Sequence, residues 1–174
     1  VSDVDNSDQS LIWNAKESSN INLNLYDNSM TLKSNPDWYG VDTLMIIIFD
    51  EEYADSIEWI INVKAVNDPP KFKNNIFQYS IYEDDILSIN KSELILEVND
   101  PDNNSDQLEL KISSLNDIIL TENEYNFFLR GKKDWFGSDS LYLSVSDSEM
   151  FDNALLLIEI IAINDPPEFI GDIP

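Results

Sequence analysis

The stretches VNDPP (residues 66–70) and INDPP (163–167) spend four of the chain's seven prolines on one phrase written twice. A shift of 97 residues carries Asn67 onto Asn164, and the same shift, held fixed, carries much more. Asp3 falls on Asp100, Asp5 on Asp102, DWYG (37–40) on DWFG (134–137), Asp42 on Asp139, Asp50 on Asp147 and Asp55 on Asp152. From Val1/Val98 to Pro70/Pro167 no gap is needed, and 22 of the 70 aligned positions are identical. Leu11/Leu108, Ile21/Ile118, Leu23/Leu120, Leu32/Leu129 and Ile61/Ile158 keep the register at apolar positions. Self-similarity at a fixed period marks a tandem-repeat architecture, so the Asn-Asp-Pro-Pro phrase is the punctuation of a repeating unit.

Inside the unit the hydrophobic period is two. In DSLYLSVSD (139–147) Leu141, Leu143 and Val145 alternate with Tyr142, Ser144 and Ser146, the pattern of a half-buried strand. FQYSIY (77–82) and LELKI (108–112) alternate in the same way, and LILEV (94–98), YNFFL (125–129) and ALLLIEIIAIN (154–164) read as further strands. No sustained period of 3.6 appears. Six or seven short strands per repeat, separated by turn residues, predict tandem antiparallel Greek-key β-sandwiches. The proline pairs cannot donate to a sheet ladder, so each should end a last strand and stiffen the passage onward. Trp38 and Trp135, each two residues before a glycine, read as core or corner anchors rather than sugar-stacking platforms.

The expected units are 1–70, 71–167 and the start of another at 168–174. Residues 71–97 have no counterpart in the first unit, because Val1 already aligns with Val98. That unit should therefore lack its opening strands and expose a strand edge. Either the chain is a piece of a longer one, or a neighbouring molecule supplies the strand.

Composition narrows the function. There are 34 acidic residues against 10 basic ones, a net charge of -24, and neither His nor Cys. Such a surface repels phosphates and anionic lipid, so nucleic acid and membrane are not expected as partners. No imidazole base, thiolate nucleophile, disulfide or His/Cys-ligated metal is available. ALLLIEIIAI (154–163) is too short to span a bilayer and contains Glu159. The acids form either a solvated surface or a site for Ca²⁺, a hard cation that takes about six to eight oxygens. Asp100 and Asp102, two apart on a loop leaving a strand, can face one point. DPDNNSD (100–106) lacks the glycine and distal Glu of a helix-loop-helix calcium loop.

The order of motifs is an early Glu83-Asp84, then VNDPD (98–102), then DWFGSDSLYLSVSD (134–147), then a hydrophobic strand closing in INDPP. It resembles the cadherin-like tandem repeats of large bacterial and archaeal surface proteins. The resemblance covers 71–167 and, through the shift, 1–70. It implies a seven-stranded sandwich with Ca²⁺ at the joints between repeats. Carried over residue by residue, it implies ligands from Asn67 and Asp68 of the linker, from Asp100 and Asp102, from Asp147 at the end of SVSD, and from Asp37. It also implies second-joint candidates Glu83, Asp134, Asn164 and Asp165, and first-joint candidates Asp3, Asp5 and Asp50. Tyr39 stands where such repeats carry a Glu, and Ala65 where they carry the first linker Asp, which points to one or two ions rather than three.

The acids that stand out occur in both repeats, at strand ends and linkers. That suits mechanics better than a single asymmetric catalytic cleft, and no phosphate loop or nucleophile elbow is present. The expected function is non-enzymatic: a Ca²⁺-stiffened repeat of an extracellular surface, adhesin or filament protein, whose partners are neighbouring repeats. The other class is a binding module for a glycan, a protein or another copy. Met45, Ile47 and Phe49, on the face opposite Leu44, Ile46 and Ile48, are its candidate contact stripe.

Overall fold

The computed structural model describes residues 11–16, 18–26, 29–50, 52–113, 117–167 and 171. The chain divides into two compact units, Val1–Val66 and Asn67–Pro174. The division falls between 66 and 67, so the whole Asn-Asp-Pro-Pro phrase belongs to the second unit.

In the second unit the strands are β6 (Lys71–Phe72), β7 (Ile76–Tyr82), β8 (Leu87–Asn90), β9 (Val98–Asn99), β10 (Glu109–Ser113), β11 (Ile118–Glu122), β12 (Asn126–Gly131), β13 (Gly137–Ser146) and β14 (Phe151–Ile161). One sheet runs β10-β13-β14-β7 and the other β11-β12-β8, a sandwich of seven main strands. All these pairings are antiparallel except β14 with β7. β6 and β9 form a short antiparallel ladder beside them. The period-two pattern sets the core: Leu141, Leu143 and Val145 of β13, Leu156, Ile158 and Ile160 of β14, and Phe127 and Leu129 of β12 are buried.

The reading of LILEV as a strand is corrected. Lys91–Leu96 forms a short helix, α1, which turns Leu94 into the core. The Asn90 side chain caps it, accepting from the amides of Ser92 (2.8 Å) and Glu93 (3.4 Å). Asn90 with Glu93 three residues on is a helix-start signature in the sequence.

In the first unit β1 (Ile12–Lys16), β4 (Gly40–Phe49) and β5 (Ala54–Val63) form one antiparallel sheet, and β2 (Ile21–Tyr26) and β3 (Ser29–Ser34) form a hairpin. Its core is Ile21, Leu44 and Ile46, with Trp38 and Ile61 packed against them. Matched positions in the two units differ sharply. Leu32 is 37% exposed where Leu129 is 0%, Trp59 41% where Leu156 is 1%, and Ile57 58% where Ala154 is 1%. The second unit covers this region with β6, β7, β8 and α1, for which the first has no counterpart among the described residues. A groove of about 620 Å³ lined by β1 and β2 residues, Ile21 and Leu23 among them, runs along the first unit.

The repeated DW(Y/F)G phrase has a local cause. Asp37 and Asp134 adopt φ of +57° and +54°, and Gly40 and Gly137 adopt +136° and +141°. Asp tolerates the first conformation; only glycine takes the second without strain. A Cβ on Gly137 would also meet the Trp135 ring at 3.3 Å. Both tryptophans pack against their units' cores, in line with an anchor role.

Candidate functional site

Five of the sequence-derived ligand candidates come together within the second unit, around its first residues. The Asn67 side-chain amide donates to Asp147 Oδ2 at 2.8 Å. The Asp68 backbone amide donates to Asp102 Oδ2 at 2.7 Å. Asp100 Oδ1 accepts from the amides of Asp102 (2.9 Å) and Asn103 (2.8 Å), shaping the loop after β9. Asn103 completes the group: its side-chain amide reaches Asn67 Oδ1 at 3.4 Å and the Asp100 carboxylate at 3.3 and 3.4 Å. Sequence reasoning left Asn103 out of the site, although the 97-residue shift pairs it with an identical residue, Asn6.

Asp147 is the buried member, 7% exposed. It directly follows β13, and its Oδ1 accepts from the amides of Glu149 (2.7 Å) and Met150 (2.6 Å). Asp50 repeats this turn in the first unit, accepting from Glu52 (2.9 Å) and Tyr53 (2.7 Å). The Met150 amide, then the Asn67 side chain, hold the Asp147 carboxyl below its ordinary value of 3.8, against the opposing effect of burial. A depressed folded value means stability that is fully present above the ordinary value and lost as pH falls through the lower one. The stability gap between the natural chain and Asp147→Ala is therefore expected to be constant above about pH 5 and to narrow below about pH 4, as read by urea unfolding across that range. A gap independent of pH down to about 2 would contradict it.

The other candidates are placed differently. Asp37 belongs to the first unit, in the turn before β4. Glu83 is buried, its Oε1 accepting from the Ile163 amide at 2.5 Å while its own amide donates to the Ile161 carbonyl at 2.9 Å. Asp134 is exposed beside Lys133. Asn164 and Asp165 are exposed, joined by one hydrogen bond of 3.2 Å. Asp3 and Asp5 lie outside the described residues. Met45, Ile47 and Phe49 lie half-buried on the outer face of β4, between Asn14 and Lys16 of β1 and Ser56 and Glu58 of β5.

Chemically the first cluster suits a hard cation: carboxylates of Asp68, Asp100, Asp102 and Asp147 with amide oxygens of Asn67 and Asn103, and no nitrogen or sulfur ligand. As arranged, it is closed by its own hydrogen bonds. Among the described residues no group of three or more acidic side chains converges to hold a metal ion. The amide N–H groups of Asn67 and Asn103 lie against the carboxylates instead.

One further carboxylate stands out. Asp139 Oδ2 is buried without a hydrogen-bond partner. Its counterpart Asp42 accepts from the Ser18 hydroxyl and from Asn20 Nδ2 at 3.1 Å. The 97-residue shift replaces those two donors by Leu115 and Asp117, neither able to donate from its side chain. Asp117→Asn restores one donor and is expected to stabilise the second unit by about 0.5–1.5 kcal/mol, offset in part by loss of the exposed Lys132–Asp117 ion pair. A thermal unfolding midpoint that falls instead of rising would sink this account.

No protein-family model matches the chain, and no curated protein matches it. Solved structures do. Protocadherin gamma B2 extracellular cadherin domains 1–5 match over 94% of this chain and 35% of that one, at 16% identity and a TM-score of 0.53. Domains 3–6 of the same protein match over 87% and 41%, at 13% identity and 0.52. An endo-fucoidan hydrolase of glycoside hydrolase family 107 matches over 90% of this chain at 16% identity, with a TM-score of only 0.42. The chain spans about a quarter of that hydrolase's length. The fold is thus a cadherin-like, immunoglobulin-like β-sandwich, as the sequence predicts. No helix among the described residues is long and apolar enough to cross a membrane.

Proposed function

We propose that the chain is a non-catalytic structural repeat of an extracellular surface, adhesin or filament protein, stiffened by Ca²⁺ bound where the second unit begins. The observation that carries this reading is the gathering of Asn67, Asp68, Asp100, Asp102 and Asp147 into one hydrogen-bonded group. Asn67 and Asp68 follow directly on Val66, the last residue of the first unit. Whatever binds them to the Asp100–Asp102 loop fixes the chain as it enters the second unit. Bound Ca²⁺ would supply charge neutralisation in a molecule of net charge -24. Asp100, Asp102 and Asp147 would be its carboxylate ligands, exchanging present amide donors for the cation.

Stiffening is a mechanical property, so it is tested mechanically. Small-angle scattering with and without chelator is expected to show a narrower spread of interatomic distances when Ca²⁺ is present. Identical scattering in the two conditions would remove the stiffening role even if an ion binds.

A further inference from the structure

β4 is apolar on both faces. Leu44 and Ile46 point into the first unit's core, while Val41, Met45, Ile47 and Phe49 point outward. Ladder pairing extends the outward row to Ile12 of β1, beside Phe49, and to Ile60 of β5, beside Thr43. Ile12, Val41 and Ile60 are exposed. The 97-residue shift matches Val41, Thr43, Met45, Ile47 and Phe49 to Ser138, Ser140, Tyr142, Ser144 and Ser146. The second unit builds the same strand with four serines on this face, so the fold does not require apolar residues there.

The strands that open a complete repeat do not cover this face. In the second unit β7 adds beside β14 at the edge of the sheet, and Tyr142, matched to Met45, is still 54% exposed. An opening segment of that kind lengthens a sheet and leaves its outer face as it was. The face is also balanced in charge, unlike the chain as a whole. Among the described strand residues that point outward from β1, β4 and β5, the charged ones are Lys16 and Glu58, which flank Met45 on opposite sides. Both are exposed, and among the described residues neither makes an ion pair.

We propose that the outer face of β4 is an interface with a second copy of this chain, the two sheets packed face to face about a two-fold axis along β4. Sheets packed this way lie about 10 Å apart. The axis sets the outward apolar side chains of the two copies against one another, and their burial supplies the gain. It also places Lys16 of each copy over Glu58 of the other, so one ion pair forms twice. An axis crossing the strands at Met45 would instead set Lys16 against Lys16. Charge selects a second copy over a basic partner. The chain's excess of acid, 34 residues against 10, lies elsewhere, and on this face each Glu58 is matched by a Lys16.

The intact chain is expected to sediment as a dimer that dissociates on dilution. Ile47→Lys is expected to raise the dissociation constant at least about tenfold, with protected amides in β4 showing that the variant is folded. Lys16→Glu sets a carboxylate against Glu58, and Glu58→Lys sets an ammonium against Lys16. Each variant alone is expected to be monomeric, and the two mixed are expected to pair as a heterodimer. Glu58→Lys lowers the magnitude of the net charge of -24, so general repulsion between copies predicts tighter association of that variant, the opposite result. The proposal is overturned by a chain that stays monomeric at every concentration, or by a dimer that Ile47→Lys leaves intact. It is also overturned if Glu58→Lys associates more tightly than the natural chain, or if the mixed variants fail to pair.

Discussion

Leu129→Ala is expected to cost the second unit about 2–5 kcal/mol, while Leu32→Ala, the same change at the matched position, costs the first unit about 1 kcal/mol or less. The residue type is identical and both positions lie in matched strands, β12 and β3. Only the cover differs. Leu129 is fully enclosed, with β8 alongside its strand, so truncation removes buried methyl groups and leaves a cavity. Leu32 is 37% exposed, so water fills the space and fewer contacts are lost. Urea unfolding followed by residue-resolved hydrogen exchange separates the two units. Equal costs at the two positions would mean that the first unit's core is closed in solution, which would contradict the burial difference.

The second large effect concerns the proposed cation. Ca²⁺ at about a hundredfold excess over its dissociation constant is expected to stabilise the chain by about 2.7 kcal/mol. Asp100→Ala with Asp102→Ala is expected to abolish that increment. Both changes also remove loop hydrogen bonds, since Asp100 accepts the Asp102 and Asn103 amides and Asp102 holds the Asp68 amide. The relevant comparison is therefore the Ca²⁺-dependent shift of the melting midpoint within each protein. General screening of a chain with net charge -24 would raise both proteins alike, and Mg²⁺ would do so as well as Ca²⁺. A shift that survives the double change would assign the stabilisation to screening.

What the sequence disclosed and what it withheld have physical reasons. The strands with strict alternation, such as β13, were legible because one face is buried and the other wet. The repeat was legible because turns and caps reuse the same residue types, as Asp50 and Asp147 do, each accepting from a pair of backbone amides. LILEV misled because a short apolar run fits a strand or a buried helical turn equally, and only the Asn90 cap distinguishes them. The parallel pairing of β7 with β14 joins residues about 80 positions apart and leaves no local pattern. The proximity of the site residues was legible in the matched linker and strand-end positions, since Asn67 meets Asp147 and Asp68 meets Asp102. Their closure by amide hydrogen bonds was not, because it depends on where Asn103 and Asn67 point. Asp37 and Asp134 show the opposite case: a left-handed backbone alone accounts for an Asp at those positions.

Native mass spectrometry tests most directly whether the acids gathered at the start of the second unit bind Ca²⁺. After exchange into Ca²⁺ at a concentration that leaves a control protein without adducts, the chain is expected to retain one or two ions. The Asp100→Ala, Asp102→Ala chain is expected to retain fewer, and chelator is expected to strip both. A chain that retains no Ca²⁺ beyond the control, or that retains the same number after both aspartates are removed, would contradict the account.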